Sequence, residues 1–170
     1  MASKSILKKF INLGPLILLY YLSISEIDSH FESYFEILSF NIQLIIIYFW
    51  VSKRPEVLGS GHIFLAGLLN DVVMGFPLGI SSLSYLVVCF VGNYVRNKSV
   101  NTTIASDWFT FLIALSLANL LFFSLLNNFS DLSFTYSKIG YNMFFTLFMF
   151  PIFWLLFNIY QITFIGNRDA

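Results

Sequence analysis

Six apolar runs take up most of this 170-residue chain, at about Phe10–Ser25, Phe35–Val51, Val57–Met74, Leu78–Val95, Trp108–Leu126 and Ile139–Ile165. A helix crossing a bilayer needs roughly 20 such residues, with allowance for tilt or local thinning. Short joins separate the runs and leave no room for a soluble domain between them. The pattern predicts an all-α integral membrane protein: one six-transmembrane-helix bundle over residues 1–170. Composition agrees, with 58% hydrophobic and only 11% charged residues, where soluble domains carry about a quarter charged.

Loop charges give an independent check and an orientation, because Lys and Arg concentrate in short cytoplasmic loops. Lys4, Lys8 and Lys9 precede the first run, and Lys53 and Arg54 follow the second. Arg96 and Lys98 follow the fourth, and Arg168 follows the sixth. With both termini cytoplasmic, eight of the nine basic residues fall inside and only Lys138 falls outside. Glu26, Asp28 and Glu32 then share the first outer loop. Dropping or adding one span scrambles this segregation. The first run also resembles a signal peptide, with a basic start and Ser23-Ile24-Ser25 at its exit. Gly14-Pro15 interrupts it and an acidic segment follows, so we read it as a retained span.

Apart from Glu36, at the second residue of the second run, one carboxylate lies within these spans. Asp71 sits near the end of the third, and a charge there costs a few kcal/mol on insertion scales, so it asks for a reason. Gly67, Asn70, Asp71 and Met74 are spaced i, i+3, i+4 and i+7 and share one helix face. Gly67 allows a neighbouring backbone to approach, and Asn70 and Asp71 then find hydrogen-bond partners inside the bundle. Gly75-Phe76-Pro77-Leu78-Gly79 forms a tight outer hairpin, in which Pro77 presets φ and the glycines permit reversal. The preferred reading is a polar cap in which Asp71 accepts hydrogen bonds from this turn. Direct partner or ligand binding comes second, and proton carriage third.

The fourth span carries Ser82, Tyr85, Cys89, Gly92, Asn93 and Arg96 at spacings of three or four. This small and polar stripe is the natural surface to pack against the Gly67–Asp71 face, and packing is preferred over a small-molecule pocket between the two. Pro151 falls inside the sixth span and should kink it, freeing a carbonyl near Leu147 for another partner. Cys89, the single cysteine, reads as a packing residue.

Catalytic sets are missing from the sequence. There is no H-E-x-x-H, the two histidines (His30 and His62) are far apart, and no G-x-S-x-G elbow occurs. The other carboxylate within the run bounds, Glu36, stands at the edge of the second run, and Asp107 and Asp131 fall at opposite membrane faces. No phosphate-binding glycine loop precedes a lysine. We therefore expect no enzyme activity, no metal and no cofactor. Zero formal net charge with scattered basic residues argues against nucleic acid as a partner.

The segment Tyr48-Phe49-Trp50-Val51-Ser52-Lys53-Arg54-Pro55-Glu56, with the Gly67–Gly79 region, resembles the MreD family of rod-shape proteins. That family's pattern is an aromatic-ended span, an Arg-Pro loop, then G-L-L-x-D and a Gly-x-Pro-Leu-Gly turn. Here these read Arg54-Pro55, Gly67-Leu68-Leu69-Asn70-Asp71 and Gly75-Phe76-Pro77-Leu78-Gly79. Gly14-Pro15 also fits the family's usual proline in the first span, whereas Asn70 departs from its usual residue. The resemblance covers Tyr48 to Asn97, and no motif aligns in the Phe-rich final third.

The resemblance implies a non-catalytic scaffold of the bacterial cell-elongation machinery, in the inner membrane and in contact with its lipid. Its implied partners are an MreC-like protein and, indirectly, MreB-like filaments, a RodA-like glycosyltransferase and a penicillin-binding transpeptidase. Asp71, Asn70, Gly67, Gly75, Pro77, Gly79, Arg54 and Pro55 would be its partner-binding or structural residues. MreD-like chains also resemble the six-span substrate-binding subunits of vitamin transporters in overall fold. That supplies the alternative, a small-molecule-binding membrane subunit.

Overall fold

The computed structural model describes residues 2–25, 41–98, 103–129 and 136–165. In the first and last helices, side chains are described from residues 13 and 140 onward. Glu26, Asp28, His30, Glu32, Asp131 and Arg168 lie outside the described residues, as does the predicted second span before residue 41. No side chain is described for Lys4, Lys8, Lys9 or Lys138.

Each of the six apolar runs holds one helix: α1 (Ala2–Ile24), α2 (Ile42–Lys53), α3 (Ser60–Met74), α4 (Ile80–Lys98), α5 (Ile104–Phe129) and α6 (Tyr136–Tyr160). A π-helical turn, Gln161–Ile165, continues α6. No strand occurs among the described residues. Two segments, Ile104–Phe129 and Gly140–Ile165, are long and apolar enough to cross a membrane. The helices α2 and α3, of 12 and 15 residues, are shorter, and at 1.5 Å per residue they reach only about 18 and 22 Å.

The shortest helix forms the centre. Every residue of α2 from Leu44 to Ser52 is buried, as expected of a helix that is apolar all round. Asn41 opens it, its Oδ1 accepting from the Leu44 amide at 3.3 Å. α2 packs against α1, α4 and α6, while α3 packs on α1 and α4, and α5 lies against α4 and α6. Gly92 brings α4 onto α2, where an added Cβ would stand 3.2 Å from Val51 Cγ1. Phe111 of α5 and Phe150 of α6 stack with centroids 4.3 Å apart, and Tyr48 of α2 meets both rings edge-on.

Several polar side chains are enclosed beside the apolar core, while large apolar ones remain on the outside. Asp71, Asp107, Ser81, Ser82 and Thr146 are fully or almost fully buried. The outer faces carry Phe90, Phe109, Leu120, Phe144 and Phe148, each more than half exposed.

Pro151 lies inside α6, whose helical span runs unbroken to Tyr160. Proline removes the N–H that would bond the carbonyl four residues earlier. That carbonyl, Leu147 O, instead accepts from Trp108 Nε1 of α5 at 3.0 Å. A missing intrahelical bond thus becomes an interhelical one.

Candidate functional site

The most constrained polar centre is the α3–α4 hairpin. Gly75, at φ 68° and ψ 23°, ends α3 in the left-handed conformation that only glycine adopts without strain. Its amide and that of Phe76 both turn back to the Asp71 carbonyl, the latter at 2.9 Å. Gly79, at φ 102°, is the second left-handed residue, and its carbonyl accepts the first intrahelical bond of α4, from Leu83 N at 2.9 Å.

A helix start leaves its first amides without intrahelical acceptors, and Ser, Thr, Asp or Asn at the cap position commonly supplies one. Gly79 has no side chain to do so. Asp71 does it from the preceding helix: Oδ2 accepts from Gly79 N at 2.8 Å and Oδ1 from Ser81 N at 2.9 Å. The Ile80 amide between them reaches Pro77 O at 3.4 Å. The backbone of Asp71 therefore closes α3 while its carboxylate opens α4. The negative charge also faces the positive end of the α4 dipole. The cap expected from sequence is the arrangement found, with both carboxylate oxygens engaged and the side chain 0% exposed.

Asn70 and Gly67 extend the same contact. Asn70 Nδ2 donates to Ser81 Oγ at 3.1 Å, and Asn70 Oδ1 accepts from Gln43 Nε2 of α2 at 3.3 Å. Gln43 Nε2 also donates to Leu22 O of α1 at 3.1 Å. One amide relay therefore ties α1, α2, α3 and α4 together. At Gly67 a Cβ would stand 2.4 Å from Ser82 Cα and 2.6 Å from Ser82 N, so the two helices touch backbone to backbone. Ser82 Oγ donates to Phe64 O at 3.0 Å across that contact.

Arg54 and Pro55 are not part of this centre. They follow α2 at the end of α3 remote from Gly75, in a turn where Arg54 N bonds Trp50 O at 2.6 Å and Val57 N bonds Arg54 O at 3.0 Å. The Arg54 guanidinium lies 3.4 Å from Glu56 Oε1. The sequence-predicted residues thus divide between two ends of the bundle, with Gly67, Asn70, Asp71, Gly75, Pro77 and Gly79 at one and Arg54 and Pro55 at the other.

A second buried carboxylate stands near that other end, where sequence reasoning placed a loop charge. α5 begins at Ile104, so Asp107 falls in its first turn and is fully buried. Lys53 Nζ, from the last turn of α2, lies 2.9 Å from Asp107 Oδ2. Trp154 Nε1 of α6 donates to the same oxygen at 2.9 Å, and the ammonium sits 5.6 Å from the Trp154 ring centroid. Asp107 Oδ1 is buried with no partner among the described residues. Next to this cluster, Tyr48 and Thr110 share a hydrogen bond through their hydroxyls. The available signal was opposite charges, Lys53 and Asp107, at the borders of two apolar runs assigned to the same face.

At the end of α4, Lys98 Nζ lies 4.9 Å from the Tyr94 ring centroid. A hydrogen bond to the Tyr94 side chain holds this ammonium above its ordinary lysine value.

Beside the hairpin, a cavity of about 220 Å³ opens between α2, α3, α4 and α5. Asn41, Gln43, Asn70, Ser81, Ser84 and Tyr85 give it a polar wall, and Leu44, Met74, Phe76, Ala118 and Phe122 complete the lining. No group of three or more His, Cys, Asp or Glu suited to a metal occurs among the described residues. No family model, curated protein or solved structure matches this chain.

Proposed function

We propose that this chain is a multi-pass scaffold of the bacterial inner membrane, with six spans and both termini cytoplasmic, and that it serves the cell-elongation machinery. The observation that carries the reading is the commitment of Asp71. Both of its oxygens accept backbone amides of the α4 start and none of its surface is exposed. A carboxylate so engaged locks two helices into one rigid hairpin. Presenting a fixed helical surface is what a scaffold needs.

The six helices, the apolar outer faces and the enclosed polar groups support the multi-pass placement. The partner assignment rests on the resemblance of Tyr48–Asn97 to the MreD family. An MreC-like protein would be the direct partner, linked onward to MreB-like filaments, a RodA-like glycosyltransferase and a penicillin-binding transpeptidase. The test is co-purification with the host's MreC-like protein together with cell width. Asp71→Ala, or Gly75→Val with Gly79→Val, should weaken the association and round the cells. Rods of normal width at wild-type levels of either mutant protein would refute the proposal.

A further inference from the structure

The cavity beside the hairpin has a chemical character that the scaffold reading does not use. Its lining holds no charged side chain, because the adjacent Asp71 carboxylate is consumed by Gly79 N and Ser81 N. It does hold unspent hydrogen-bonding groups. Gln43 has committed both amide hydrogens, to Leu22 O and Asn70 Oδ1, which leaves Oε1 as an acceptor with no partner among the described residues. Asn41 uses Oδ1 to cap α2, which leaves its Nδ2 hydrogens without an acceptor among them. The Ser81 hydroxyl accepts from Asn70 and keeps its own proton to donate.

These groups are held rather than adaptable. Asn41 is anchored through its backbone N to Thr146 Oγ1 of α6 at 2.9 Å. Gln43 is fixed by its two bonds. Phe76 and Phe122, also lining the cavity, meet edge-on with centroids 5.5 Å apart and give it an aromatic side. Binding sites generally combine an apolar wall with a few convergent polar groups, as here.

The geometry points to a binding site for a small uncharged ring compound that carries both a hydrogen-bond donor and an acceptor, with its acceptor on Asn41 Nδ2 and its donor on Gln43 Oε1. Size restricts the ligand. Pockets for drug-sized molecules run to roughly 300–1,000 Å³, so about 220 Å³ admits a single ring with one substituent. Charge restricts it further, since nothing in the lining would neutralise an ion.

Uracil and benzamide, which both present this donor–acceptor pair, are suitable probes for calorimetric titration of the purified full-length protein in detergent. We expect saturable one-to-one binding of at least one of them by the wild type. Asn41→Asp retains the α2 cap oxygen but removes the donor, and should weaken binding roughly tenfold, the scale of one lost hydrogen bond. Ala118→Leu fills the cavity from α5 and should abolish binding. Should that variant misfold, Asn41→Asp still decides the matter. Absence of saturation by both probes, or equal affinity in wild type and Asn41→Asp, would overturn the assignment. Neither result bears on co-purification with an MreC-like protein, so the two readings fail separately.

Discussion

Breaking the Lys53–Asp107 pair should cost far more than removing it altogether. Lys53→Met deletes the ammonium and keeps most of the side-chain length. Asp107 then remains buried, with Trp154 Nε1 as its side-chain donor on Oδ2 and no partner on Oδ1 among the described residues. Removing one member of a buried ion pair costs about 3–5 kcal/mol, because the other charge stays desolvated. Lys53 retains 19% side-chain exposure against 1% for Asp107, so partial screening places the expected loss near the lower figure. The double replacement Lys53→Met/Asp107→Leu removes both charges and the orphaned oxygen. It should come within about 1 kcal/mol of wild type or exceed it, as buried pairs replaced by apolar residues often do. Asp107→Leu alone leaves an ammonium that reaches solvent in part, so it should fall between the two. The assay is equilibrium unfolding of the purified protein in mixed micelles, with the four proteins forming a double-mutant cycle. Lys53→Met within 0.5 kcal/mol of wild type, or additive single effects, would refute the enclosure of this pair.

Gly67→Ala should destabilise the protein by at least about 2 kcal/mol, since its Cβ meets Ser82 backbone atoms that cannot rotate away. Gly61→Ala is its internal control: nothing lies within 4 Å of that Cβ, and the helix-propensity gain of up to about 1 kcal/mol should leave it neutral or more stable. Both are read as shifts in unfolding midpoint, and equal effects would contradict the close contact of α3 and α4. Trp108→Phe keeps an aromatic ring but leaves Leu147 O without its donor, and should cost about 1–2 kcal/mol. In a Pro151→Ala background the restored amide satisfies that carbonyl, so the penalty should shrink; an unchanged penalty would sever the proposed link.

Much of the helical architecture was legible because apolar runs and punctuation agree. Gly75, Pro77 and Gly79 announce a reversal, and two of them take the positive φ that reversal requires. Asp71 stood out as a carboxylate in an otherwise apolar run, and the i, i+3, i+4 spacing put Gly67 and Asn70 on its face. The partners of that face were less visible. Gln43 reaches Asn70 from α2, and no local pattern encodes which helices become neighbours. Asp107 was missed for a related reason. It lies one residue before the apolar run that begins at Trp108, so hydropathy placed it in a loop, whereas the helix starts earlier at Ile104. Its burial depends on Lys53 and Trp154, each from a different helix. The cavity is equally non-local, since it exists only where four helices fail to close completely around small serine and alanine side chains.

The account turns on Asp71 holding the start of α4, and backbone amide exchange at Gly79 and Ser81 reads that directly. In the wild type both amides should be strongly protected, being bonded to a carboxylate with no exposed surface. In Asp71→Ala their exchange should accelerate by at least about tenfold, while amides in the centre of α5 keep their protection. Equal protection of Gly79 and Ser81 in the two proteins would contradict the account.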